Sequence, residues 1–280
     1  MAETRGNSMS TAVSTGRSLP RALRPLVVAV VALLAVGSLT GCERVETRDR
    51  PILLVHGWSI TGGVNCQGTF GPLIQELRAD GFTGPIIKVG FYTGDTNCDV
   101  SLRDYGNFEN GSSWREISKA LSHYIHEVNA EHGLPVDLVG FSMGGNIIRG
   151  SVHGSQRGDT GFASMIAVED AVSIAGPLNG AAWYSNACLW GQCKTMQPGH
   201  ADIAWLNSAG DAHSIGGTEW TVYGSRGDWV VPWASAIHMV DLPAERRVVY
   251  EDVPHTGGDN FMNDPEVLAD VTEALAKPGV

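Results

Sequence analysis

Val136-Asp137-Leu138-Val139-Gly140-Phe141-Ser142-Met143-Gly144-Gly145 passes from an aliphatic, strand-like segment through a serine between two glycines into a helical run ending near Val152. In so sharp a strand-to-helix turn, side chains at positions 140 and 144 would collide with the neighbouring strand and helix, so glycine at both lets the serine stand at a strained tip. With 35 glycines in 280 residues, the G-x-S-x-G spacing alone carries little weight. The strand before it and the helix after it carry the reading. Pro51 to Val55, Pro85 to Val89 and Ala167 to Ile174 are further runs apolar on both faces, as in a parallel sheet covered on two sides. Trp114, Ile117, Leu121, Tyr124, Ile125 and Val128 recur at helical spacing, and a second helix is expected from Gly71 through Leu77. Thr218 to Tyr223 and Arg247 to Val253 read as later strands and Pro265 to Ala276 as a closing helix. This alternation predicts a single domain, residues 51–280, with a doubly wound, mostly parallel α/β sheet.

A serine hydroxyl is a weak nucleophile near neutral pH and needs an imidazole to take its proton and a carboxylate to orient that imidazole. Asp228 follows the strand ending at Tyr223, and His255 follows the last strand, so the chain order is Ser142, Asp228, His255. His238 and Asp241 are a fallback pair at less favourable positions. His56-Gly57-Trp58 ends the first strand, which makes the amides of Trp58 and Met143 the candidate oxyanion donors and His56 a structural histidine.

These stretches resemble the bacterial class 2 lipases, small enzymes of the α/β-hydrolase fold. Pro51 to Gly57, Val136 to Gly145, Ala175-Gly176-Pro177-Leu178-Asn179-Gly180, Gly224 to Pro232 and Pro254-His255 carry the resemblance in the same order. It implies hydrolysis of triacylglycerols or short esters through an acyl-enzyme, with no cofactor and no catalytic metal. The same triad could pass the acyl group to an alcohol or thiol, and a non-catalytic lipid-binding protein is the remaining alternative. The chain departs from the smallest members by a long segment from Pro177 to Gly217, four cysteines and the bulky Trp58. Trp183, Tyr184 and Trp190 crowd that segment, which reads as a fixed rim of an acyl pocket.

Ahead of the domain, Leu26 to Leu39 is an apolar run behind Arg17, Arg21 and Arg24, the pattern of an export signal over residues 1–41. Leu39-Thr40-Gly41-Cys42 resembles the lipobox of bacterial lipoproteins, so Cys42 is expected to carry the lipid anchor and residues 42–50 to form a charged tether. An ordinary secreted protein is the competing reading. Without the signal, which holds four Arg and one Glu, the formal charge of −11 becomes about −14. That acidity argues against nucleic acid or anionic lipid as a partner and favours solubility at a cell surface; a monomer is expected, held through its anchor on the outer face of the cytoplasmic membrane. In an exported chain Cys66, Cys98, Cys188 and Cys193 are expected to form disulfides. The short loop 188–193 leaves Cys66 for Cys98. No C-x-x-C pair or suitably spaced histidine supports zinc.

Overall fold

The computed structural model describes residues 48–182 and 188–277. The signal segment, Cys42, most of the tether, Trp183 and Tyr184 lie outside the described residues. The strands are β1 (Ile52–Val55), β2 (Ile86–Gly90), β3 (Val100–Ser101), β4 (Val136–Phe141), β5 (Val168–Ile174), β6 (Glu219–Ser225) and β7 (Arg247–Tyr250). They form one sheet in the order β3-β2-β1-β4-β5-β6-β7, and every neighbouring pair is parallel. The chain builds outward from β1 to β3 and then returns to β4 on the other side of β1. The β1/β4 junction is therefore the point where winding reverses and a crevice opens at the carboxyl ends of the strands.

Alternation along the strands explains why their sequences are apolar throughout. Leu53 and Val55 of β1 join the core beneath α2 (Trp114–His132) and α3 (Met143–Arg157), whereas Ile52 and Leu54 join the core beneath α1 (Cys66–Ala79) and α7 (Pro265–Ala276). The expected stripe of α2 is buried at Trp114, Ile117, Leu121, Ile125 and Val128. Ser113 caps its N-terminus through the Arg115 amide, and Gly133, with φ of 65°, ends it in the left-handed conformation.

Three local readings change. Helix α1 starts at Cys66, where the Asn65 side chain accepts from the Gly68 amide, and it runs through Pro72. The expected start at Gly71 came too late because Gly68, Gly71 and Pro72 resemble breakers, while capping and the burial of Phe70, Leu73 and Leu77 favour helix. Strand β7 stops at Tyr250, so His255 stands on a loop beyond it. Arg50, read as the end of a charged tether, is buried at the amino ends of β4 and β5.

There its guanidinium donates to Asp137 Oδ1 at 2.9 Å and to Asp170 Oδ2 at 2.6 Å, clamping the amino ends of β4 and β5. Burial pushes the Asp137 carboxyl up to about 7 against the attraction of Arg50. Burial and the adjacent Asp137 push Asp170 up to about 8. Both values exceed those of the unfolded chain, about 3.9. The folded state therefore holds protons that the unfolded chain releases, a contribution fully present below about pH 4 and lost as pH rises through 7 to 8. Urea unfolding of the wild type should weaken by roughly 1–3 kcal/mol between pH 5 and 8.5, and Asp170→Asn should flatten that dependence. A wild-type profile no steeper than that of the variant would contradict the assignment.

The Pro177 to Gly217 excursion holds α4 (Gly191–Thr195) and α5 (Ala201–Leu206). Cys188 is bonded to Cys193 within it, and Cys66 to Cys98 beside β2. The excursion is tied down at several points. Ala182 N donates to Val230 O at 3.0 Å and Ala181 N to Met196 O at 2.8 Å, and Arg149 on α3 donates to Asn207 Oδ1 at 2.9 Å. Buried Arg149 also donates to the His238 carbonyl, and Asp211 stands 3.9 Å away. Among the described residues, no helix is long and apolar enough to cross a membrane.

Candidate active site

Ser142 is the residue between β4 and α3, with φ of 55° and ψ of −129°. Such a backbone costs a non-glycine residue on the order of 1–3 kcal/mol, so the surroundings must hold it. Its amide donates to Ile174 O of β5 at 2.8 Å, and its carbonyl accepts from Gly145 N at 2.9 Å. The glycines around it are set by contact. A Cβ on Gly140 would lie 2.4 Å from the Gly144 carbonyl oxygen, and one on Gly144 would lie 2.1 Å from the Val55 carbonyl oxygen of β1. Gly57, just past β1, lies so close that a Cβ there would be 2.7 Å from Ser142 Cβ and 3.1 Å from Ser142 Oγ.

Ser142 makes no side-chain cap to its own helix. Its Oγ instead lies 2.9 Å from His255 Nε2. On the far side of the ring, His255 Nδ1 is 2.7 Å from Asp228 Oδ2. The other Asp228 oxygen accepts from the Val230 amide at 2.7 Å and the Val231 amide at 2.9 Å, so the carboxylate is fixed from both ends. Asp228 and His255 are buried, while Ser142 remains partly accessible. The two loops that carry the acid and the histidine are joined: Arg226 N donates to Tyr250 O at 2.9 Å, and a Cβ on Gly227 would lie 2.7 Å from the Asp252 backbone. Phe141 stacks on His255 with ring centroids 5.3 Å apart, a contact that sequence reasoning passed over.

With Nδ1 hydrogen-bonded to a carboxylate, the ring is left with Nε2 facing the serine hydroxyl, an arrangement able to accept its proton. Met143, first residue of α3, has a backbone N–H with no intrahelical acceptor and sits at the positive end of the helix dipole. Trp58 follows Gly57 on the opposite side of the crevice. His56 is buried and bonded to Asp95 rather than to the serine. The fallback residues stand elsewhere, His238 beside Arg149 and Asp241 on the exposed surface. Among the described residues, no group of histidine, cysteine and carboxylate side chains could hold a metal ion.

No protein-family model and no curated protein sequence matches the chain. Solved structures do. The phospholipase PlaB of Legionella pneumophila superposes with a TM-score of 0.62 at 14% identity, over 82% of this chain and 60% of that one. A Bacillus licheniformis lipase in its mature form superposes at 0.51 with 10% identity, over 85% of this chain and 96% of its own. Aspergillus fumigatus lipase B gives 0.55 and 14%, over 82% of this chain and 53% of its own. The chain thus spans about 60% of the phospholipase's length and nearly all of the bacterial lipase's. Together with the all-parallel sheet, these likenesses establish the α/β-hydrolase fold.

Because Gly57 leaves no space for a methyl group against Ser142, Gly57→Ala should displace one or the other. The expected result is a fall of about 100-fold or more in the rate at which a fluorophosphonate labels Ser142, with a stability loss of about 1–3 kcal/mol. Labelling at the wild-type rate would show that the contact does not constrain the serine.

Proposed function

We propose that the chain is a serine hydrolase that cleaves carboxylic esters, of the lipase or esterase type. The observation that carries this reading is the continuous hydrogen-bonded chain from Ser142 Oγ through His255 to Asp228, set at the strained turn of an α/β-hydrolase fold. The lipases and phospholipase that share the fold add support of a general kind.

In this reading Ser142 Oγ attacks the ester carbonyl as His255 Nε2 takes its proton, giving a tetrahedral oxyanion. The Trp58 and Met143 amides donate to that oxygen, assisted by the helix dipole at Met143. His255, held as an imidazolium beside Asp228, then returns the proton to the leaving alcohol, and the acyl group remains on Ser142. Water, deprotonated by His255, attacks the acyl-serine, and His255 returns that proton to Ser142 Oγ as the bond to the acyl carbon breaks and the acid leaves. Asp228 keeps the ring in one tautomer and does not itself take the proton.

Ser142→Ala should leave the fold intact and lower hydrolysis of a soluble aryl ester by about 10⁴-fold or more. Asp228→Asn should cost on the order of 10⁴-fold through the wrong tautomer. A Ser142→Ala protein retaining more than about a tenth of the wild-type rate would remove Ser142 from the mechanism.

A further inference from the structure

The loop that carries Trp58 has no regular structure of its own, yet the residues on both sides of Trp58 are fastened to one turn after β2, Phe91 to Asp95. On one side His56 is buried, with Nδ1 at 2.8 Å from the Gly57 carbonyl and Nε2 at 3.0 Å from Asp95 Oδ2. Its ring stacks on Phe91 at 4.1 Å between centroids. On the other side the Ser59 amide reaches the Tyr92 hydroxyl at 3.4 Å, and that hydroxyl donates to Gln192 Oε1 in the excursion at 2.5 Å.

Asp95 is where these contacts converge. Besides His56, its carboxylate accepts from the amides of Phe91 at 2.7 Å, Tyr92 at 2.8 Å and Val64 at 2.8 Å. Its side chain is only 6% exposed. A buried carboxylate would ordinarily resist ionisation, but the bond and charge of His56 and the two amides of the turn outweigh burial and hold it below the usual range. The cluster lies beside the crevice without touching Ser142, His255 or Asp228, so it makes no part of the proton relay.

We propose that Asp95, acting through His56, is the positioning residue that sets the Trp58 amide for the oxyanion, with Tyr92 as a second strap. This rests on the ester-hydrolase reading of Ser142. An amide aimed at an oxygen that becomes fully charged only in the transition state raises kcat more than it tightens substrate binding. A displacement of the donor loop by a fraction of an ångström therefore costs rate more than it costs binding.

The test measures an aryl ester and its matched thionoester with the wild type, Asp95→Ala, Asp95→Asn and Tyr92→Phe, alongside thermal unfolding. Sulfur is larger and a weaker acceptor than oxygen, so a donor set placed for oxygen discriminates against the thionoester. Loosening that donor reduces the discrimination. Asp95→Ala should lower kcat on the oxygen ester about 100-fold with KM within about threefold, and should shrink the ester-to-thionoester rate ratio about tenfold. Asp95→Asn, which keeps an acceptor for the turn amides but loses the charge facing His56, should fall between. Tyr92→Phe should show a smaller shift in the same direction. If Asp95→Ala does not fold, Asp95→Asn and Tyr92→Phe decide the matter. Folded variants with a wild-type rate, or with equal losses on both substrates, would overturn this inference while leaving the hydrolase reading standing. A wild type that neither turns over the ester nor is labelled at Ser142 would overturn both.

Discussion

At the carboxyl ends of β1 and β4 two chain segments approach each other too closely for any side-chain carbon between them. Gly144 lies on the Val55 carbonyl and Gly57 lies on Ser142. Most of the crevice geometry follows from that approach. It forces the turn after β4 to be sharp, which puts Ser142 at positive φ and starts α3 at the very next residue. It also brings the loop after β1 against the nucleophile, Gly57 lying on Ser142. The register makes this possible, because Val55, the last residue of β1, pairs with Gly140, one residue before β4 ends at Phe141. Sheet order does the rest. The reversal of winding at β1 and β4 leaves the crevice open there, and the outward succession β5, β6, β7 delivers Asp228 and His255 from one flank.

The features legible in the chain were those written in local pattern. The strands could be read because burial on both faces of a parallel sheet demands uninterrupted aliphatic runs, and α2 because its stripe recurs at helical spacing. The positions of Ser142, Asp228 and His255 could be read from chain order and strand ends, and the structure brings those three side chains within hydrogen-bond distance. What escaped the sequence was set by distant partners. Asp95 sits in a short polar turn with no periodic signal, and its significance comes from His56, 39 residues earlier. Arg50 looks like one more charge in a tether until Asp137 and Asp170 meet it, 87 and 120 residues later. The two-residue strand β3 owes its existence to pairing with Val89 and Gly90 rather than to any propensity of Val100-Ser101.

Buried charge stands at both ends of the sheet and serves opposite purposes. At the amino ends, Arg50 is enclosed by two aspartates whose ionisation is resisted, an arrangement that ties the entering chain to β4 and β5. At the carboxyl ends, Asp95 and Asp228 each meet a histidine while backbone amides fill their remaining oxygen positions, which fixes the orientation of both carboxylates and, at Asp95, favours the charged form. The second pattern orders loops, and loops carry Trp58, Asp228 and His255. The disulfide from Cys66 to Cys98 and the small Cys188 to Cys193 loop lie in the same tier.

In the proposed reaction Ser142 takes the acyl group onto its own oxygen. Intact-mass and peptide-mapping spectrometry of the wild type, quenched in acid within the first turnovers of an activated aryl ester, observes that step directly. A population heavier by one acyl group, carried on the peptide containing Ser142, should form with the first burst of phenol and disappear as substrate is exhausted. Turnover with the acyl group on another residue, or a burst of phenol with no acylated protein, would contradict that reaction.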